Sequence, residues 1–150
     1  MCIRDRSDRG LSHHKNDGLI FMLNKHPVDI NTSSATFKWK SHHTVDVLVR
    51  EVEDEWCVYA QRHREAVPLN KLVVNNEAFS VHLVANEVVG DGAIVECECT
   101  LSAGVVRMFP LKRRIDKASP NSVYTIERTL VNIVEDIGID ELIDLLRETK

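Results

Sequence analysis

The sequence predicts a mainly β chain of the α+β kind: a short two-stranded piece of a larger sheet, then a small barrel, then C-terminal helices. Three observations predict it. From Thr44 onward, apolar and polar residues alternate in five or six short runs within about seventy residues, the pattern of a small β unit. Ahead of that stretch, Leu19 to Leu23 is an almost continuous apolar run of the kind that fills a buried strand. After Ser119 the apolar spacing lengthens to a helical period.

At the N-terminal end, Asn16-Asp17-Gly18 reads as a turn leading into a buried strand over residues 18 to 23, which normally sits inside a larger sheet. Residues 24 to 35 carry Asn, Pro, Thr and Ser without periodicity and read as a loop, followed by a short extended segment from Thr36 to Lys40. Two strands cannot make a domain by themselves.

In the next stretch Val45, Val47 and Val49 alternate with Asp46 and Arg50, and the acidic turn Glu51 to Glu55 leads to a strand from Trp56 to Ala60. Phe79, Val81, Leu83 and Ala85 are expected on one face, as are Val95, Cys97, Cys99 and Leu101, with Gly90-Asp91-Gly92 and Ser102-Ala103-Gly104 as turns. A five-stranded Greek-key barrel of the OB type is the natural architecture at this size. Ser119-Pro120-Asn121-Ser122 then predicts a cap and a first-turn proline for a helix carrying Val123, Ile126, Leu130, Ile133, Val134 and Ile137 along one stripe, stopped by Gly138. Ile139, Leu142, Ile143, Leu145 and Leu146 predict a second amphipathic helix, with Asp140 and Glu141 in the first turn where its dipole favours them.

Apolar residues make up 43% of the 150 and charged residues 28%, enough apolar side chain for one core. The formal charge of -4 argues against wholesale electrostatic binding of nucleic acid, so any grip on phosphate is local. Cys2, Cys57, Cys97 and Cys99 show no disulfide-framework spacing, and no apolar stretch reads as a signal peptide or membrane span, so an intracellular, reducing location is expected. Cys97 and Cys99 are expected as buried, inert thiols rather than metal ligands, and the His13-His14 and His42-His43 pairs as solvated.

Three strings carry the candidate chemistry. Lys38 and Lys40 stand two apart on an extended segment, so both ammonium groups are expected on one face with bases ~7 Å apart, a spacing suited to two oxygens of a polyphosphate. Trp39 would point the other way into a core. Asp17, at the entrance of a buried strand, reads either as part of an ordinary Asn-Asp-Gly turn or as a carboxylate that could hold a divalent cation, directly or through water. The segment Lys112 to Lys117 reads either as a charged, solvated turn or as extended backbone, which would put Lys112, Arg114 and Asp116 on one face with Asp116 orienting the Arg114 guanidinium toward a phosphate.

In order, Asp17-Gly18-Leu19-Ile20-Phe21, Phe37-Lys38-Trp39-Lys40, Thr44-Val45-Asp46, Val95-Glu96-Cys97 and Pro110-Leu111-Lys112-Arg113-Arg114-Ile115-Asp116-Lys117-Ala118-Ser119-Pro120-Asn121 resemble the back half of messenger-RNA capping guanylyltransferases, especially viral-type ones. These belong to the covalent nucleotidyltransferase superfamily, shared with ATP-dependent ligases. The resemblance spans residues 13 to about 136. It implies a remnant of a nucleotidyltransferase domain over 7-43, an OB domain over 44-118 and C-terminal helices over 119-150. Residues 1-6 resemble a translated sequencing adapter and are set outside the fold.

Residue by residue, the resemblance implies that Asp17 assists a Mg or Mn ion, and that Lys38 and Lys40 contact nucleotide phosphates. Arg114 and Lys117 would close over the β and γ phosphates of GTP, with Asp116 steadying them and Lys112 beside them in place of a more usual arginine. Lys38, Lys40, Arg114, Asp116 and Lys117 would be the catalytic set. The implied reaction forms a lysyl-GMP and passes GMP to the diphosphate 5' end of RNA, in a nucleus or a viral replication compartment. The nucleophilic lysine is expected upstream, in a missing N-terminal part of the same domain, so this chain is expected to be inactive alone and exposed at its sheet edges. The alternatives are a fragment of an ATP-dependent DNA or RNA ligase and a stand-alone OB-type module binding nucleic acid or protein. Such a module usually offers surface aromatics for base stacking, and this chain is expected to offer few, since Trp56, Tyr59 and Phe79 read as core, which counts against it.

Overall fold

The computed structural model describes residues 18-22 and 36-148. The chain divides into two compact units, Met1–Ser41 and His42–Lys150.

In the first unit, β1 (Leu19–Met22) pairs antiparallel with β2 (Thr36–Trp39), with Leu19 opposite Trp39 and Ile20 opposite Lys38. Gly18 makes this ribbon possible. Its φ of +94° is one that side chains rarely adopt, and an added Cβ would stand 2.0 Å from the Trp39 carbonyl oxygen. The apolar run is buried at Phe21 (5% exposed) but not at Ile20 (57% exposed), because a two-stranded ribbon has only one face to cover.

The second unit is mainly β. Its seven strands are β3 (Thr44–Val52), β4 (Glu55–Arg62), β5 (Glu65–Pro68), β6 (Lys71–Val74), β7 (Glu77–Leu83), β8 (Ile94–Ser102) and β9 (Val105–Arg113). They form one sheet in the order β5-β4-β3-β8-β9-β7-β6, antiparallel throughout except for the parallel pair β7 and β9. The sheet curls into a half-barrel. Residues 69 and 70 lace its two ends together, since the Leu69 N–H donates to the Val58 carbonyl (2.8 Å) and the Asn70 carbonyl accepts from the Val81 N–H (3.3 Å).

Strand alternation builds the core. Val45, Val47 and Val49 of β3, Val95 and Cys97 of β8, and Val106 and Met108 of β9 are all essentially inaccessible. Glu96, Glu98 and Thr100 take the opposite face of β8, as the alternation requires. Helix α1 (Val123–Glu135) covers the open side, packing against β6, β4, β3 and β8 and burying Val123, Ile126 and Leu130. It therefore shares the sheet's core. Helix α2 (Ile139–Glu148) follows, with Asp140 and Glu141 in its first turn.

Two boundary expectations change. Within the string Ser119-Pro120-Asn121-Ser122 the N-cap of α1 is Ser122, its hydroxyl accepting from the Thr125 N–H at 3.1 Å, so the proline precedes the helix instead of sitting in its first turn. Pro120 falls outside the helix because Asn121 is held extended between two strands: its N–H donates to the Asp46 carbonyl and its carbonyl accepts from the Gln61 N–H. At the other end, Asp136 rather than Gly138 takes the left-handed cap (φ 40°, ψ 46°) and its N–H closes on the Asn132 carbonyl. Gly138 instead opens α2, accepting from the Leu142 N–H. Val134 and Ile137, expected on the buried stripe, are exposed.

The connections are tight. Glu53-Asp54, His63-Arg64, Asn75-Asn76 and Ala103-Gly104 each have positive φ at two successive residues, the backbone of a two-residue hairpin turn matched to sheet twist.

Candidate functional site

A charged cluster sits where β3, β8 and the end of β9 come together. Asp46 and Glu96 are directly opposite each other on β3 and β8, and Lys112 is opposite Glu96 on β9. All three lie on the face away from the valine core. Two facing carboxylates repel, and the cluster is built around relieving that.

Arg114 provides the relief. Its Nη1 reaches Asp46 Oδ1 at 2.8 Å and Glu96 Oε2 at 3.4 Å, while Lys112 Nζ adds a second cation on Glu96 at 3.2 Å. The other edge of the guanidinium makes a fork to Asp116, with Nε to Oδ1 at 2.9 Å and Nη2 to Oδ2 at 2.8 Å. Lys117 Nζ closes the cluster on Asp46 Oδ2 at 2.5 Å. The extended backbone stops at Arg113, so Asp116 meets Arg114 by way of a turn in which the Lys117 N–H donates to the Arg114 carbonyl, not along a strand face. The Arg114 N–H is anchored on the Ile94 carbonyl, and Ile115 projects from the turn almost wholly into solvent.

Asp46 is the buried member, 5% exposed as a residue. Between β3 and β4 the strands part, and Asn121 fills the gap. Its side-chain Oδ1 accepts from the Asp46 N–H at 2.8 Å and its N–H donates to the Asp46 carbonyl at 2.7 Å, so the backbone of Asp46 is satisfied as if by a strand. The hydrogen bonds from Arg114 hold the Asp116 carboxyl down at about 2, helped by its own backbone and by the charges of Arg114 and Lys117. Arg114 is pushed up in turn, chiefly by the same hydrogen bond.

The sequence singled out Lys112, Arg114, Asp116 and Lys117, and the structure brings these four together. It missed Asp46 and Glu96 as their partners. One signal was available: Asp46 is the only charged residue between Thr44 and Val49, where an outward position in a valine strand needs a reason to be acidic.

The other candidates belong to the first unit. Lys38 is the exposed penultimate residue of β2, Trp39 is half-buried, and Lys40 follows the strand end with its Cγ close to where a Cβ on Gly18 would stand. Asp17 lies outside the described residues. So does Lys15, which with Asn16, Asp17 and Gly18 spells Lys-x-Asp-Gly and corrects the expectation that any such lysine lies only upstream. Among the described residues no three His, Cys, Asp or Glu side chains converge as a metal site.

Burial pushes the Cys97 and Cys99 thiols up to about 12, with Cys99, Asp46 and Glu96 adding to it at Cys97 and Glu98 at Cys99, which keeps both protonated in the core. His42 is exposed and its Nδ1 lies 3.0 Å from Glu98 Oε1. Among the described residues no helix is long and apolar enough to cross a membrane. No family model matches the chain.

Proposed function

We propose that the chain is the C-terminal part of a GTP:RNA guanylyltransferase, in which Arg114 and Lys117, steadied by Asp116, take the β and γ phosphates of GTP. The observation that carries this is the convergence of a forked arginine, a lysine and an orienting carboxylate within one four-residue turn at the rim of the curled sheet. A guanidinium pinned along one edge presents its remaining N–H groups in a fixed direction, which suits an oxyanion that must be held in line.

The strand order supports reading the half-barrel as an OB-type Greek key. A first strand flanked by the second and fourth runs, with the third run returning parallel to the fifth, matches β3 between β4 and β8, and β7 beside β9. The two-stranded ribbon carrying Lys38 and Lys40 would belong to the nucleotidyltransferase domain that supplies the base of the cleft, with Asp17 assisting a divalent cation.

In that scheme a lysine Nζ attacks the α-phosphorus of GTP, the α-β bridging bond breaks, and pyrophosphate leaves with lysyl-GMP remaining. A diphosphate RNA end then attacks the same phosphorus and regenerates the lysine. The residues of this chain neutralise and orient, which is most of what phosphoryl-type transfer asks of a protein.

The test is covalent labelling. The reading frame extended upstream is expected to form a lysine adduct from labelled GTP and not from ATP, and the Arg114→Ala variant to lose it by at least about a hundredfold. Labelling by ATP alone would transfer the chain to the ligases. The 150-residue chain is expected to form no adduct; one that vanishes in Lys15→Ala would show that the nucleophile is already here.

A further inference from the structure

The cluster proposed to grip phosphate is already filled by the protein's own carboxylates. Lys112, Arg114 and Lys117 face Asp46, Glu96 and Asp116, three cations against three anions, so the charges cancel. An incoming polyphosphate meets a neutral, internally paired site.

The three carboxylates differ in how freely they can give way. The Asp116 side chain is 62% exposed and sits in a surface turn, so it can travel with Arg114. The Asp46 side chain is 8% exposed on a core strand, and Asn121 clamps both its N–H and its carbonyl. It cannot follow. Arg114 and Lys117 stand on the turn after β9, on long side chains 20% and 34% exposed, so the fork of Arg114 and Asp116 can shift as one unit. An anion that takes over the protons Arg114 Nη1 and Lys117 Nζ now give to Asp46 leaves a buried carboxylate without those charge-assisted bonds, a costly state.

We propose that Asp46 is a built-in competitor for the anion, a latch that keeps Arg114 and Lys117 folded back until a polyphosphate displaces it. This rests on reading Arg114 and Lys117 as phosphate ligands. The latch also selects by charge. Inorganic phosphate competes with Asp46 as a single compact centre, whereas a triphosphate chain carries more charge and more oxygens, spread along its length, to engage both cations.

Calorimetric titration of inorganic tripolyphosphate into the 150-residue chain at low salt provides the test. Asp46→Asn, nearly isosteric and uncharged, is expected to bind at least about tenfold more tightly than wild type, because the competing charge is gone. Arg114→Ala is expected to abolish binding in both backgrounds. Tighter binding is a gain that a merely structural role for Asp46 would not produce. If Asp46→Asn does not fold, the wild-type protein decides: the Asp46 side-chain carboxyl carbon resonance is expected to move as tripolyphosphate is added. Equal affinity in wild type and Asp46→Asn, or binding to wild type with that resonance unmoved, would overturn the latch and leave the phosphate site standing. Absence of binding in every variant would overturn both.

Discussion

Arg114 and Asp116, two residues apart, are joined by two parallel hydrogen bonds of 2.9 and 2.8 Å, so that a single turn fixes the orientation of the guanidinium. The fork needs no distant partner. It is a local device, and its strength is set by whether Asp116 is ionised.

That gives a pH signature. Asp116 is lowered from 3.8 to about 2 in the folded chain, chiefly by the Arg114 hydrogen bond. A depressed carboxylate stabilises the fold above its unfolded value and loses that contribution as pH falls through its folded one. Wild type is therefore expected to melt above Asp116→Asn at pH 6, with the gap closing between about pH 4 and pH 2. Thermal melts at stepped pH check it, and a gap that persists to pH 2 would count against the fork.

Cys97 and Cys99 carry the opposite shift. Both are raised from 9.0 to about 12, by burial first, so their stabilising effect is complete below pH 9 and is lost as pH climbs toward 12. In the native protein at pH 8 both are expected to resist iodoacetamide while half-buried Cys57 labels, and all three to label in urea. Peptide mass spectrometry assigns the sites.

Asn121 is expected to behave as a core residue despite its polar side chain. Asn121→Ala removes the acceptor of the Asp46 N–H, leaving a part-buried donor without its partner, at a cost of about 1–3 kcal/mol. Urea unfolding measures this. A change below about 0.5 kcal/mol, the usual range for surface substitutions, would mean that the gap between β3 and β4 closes without it.

The hairpin turns offer a stabilising change. Glu53 and Asp54 adopt φ of 52° and 64°, a backbone that Asn-Gly takes at lower cost. Glu53→Asn combined with Asp54→Gly is expected to raise stability by about 1–2 kcal/mol, read as a higher urea midpoint at unchanged slope.

These turns also explain what was legible in the sequence. Strands with valine or cysteine alternation, such as β3 and β8, and the turn at Ala103-Gly104, were readable because side-chain period and turn chemistry agreed. β5 and β6 were not, since four-residue strands carry too few alternations and His63-Arg64 is not turn chemistry; pairing to β4 and β7 imposes it. Pro120 and Gly138 were read by local preference and lost to tertiary demand, because Asn121 is needed between two strands and Asp136 reaches the cap first. In the site, the basic residues were visible as a run in the chain, whereas Asp46 and Glu96 come from two other strands and only pairing register brings them there.

The bonds that Asp46 makes to Arg114, Lys117 and Asn121 span 68, 71 and 75 residues of chain. In kinetic terms these are among the most expensive closures in the molecule, and nothing local rewards them in advance. The hairpins are expected to form first and the cluster last, after β8 has found β3 and β9 has found β7. Substitutions at Asp46 should then change the unfolding rate far more than the folding rate, and the cluster becomes a marker of the finished fold.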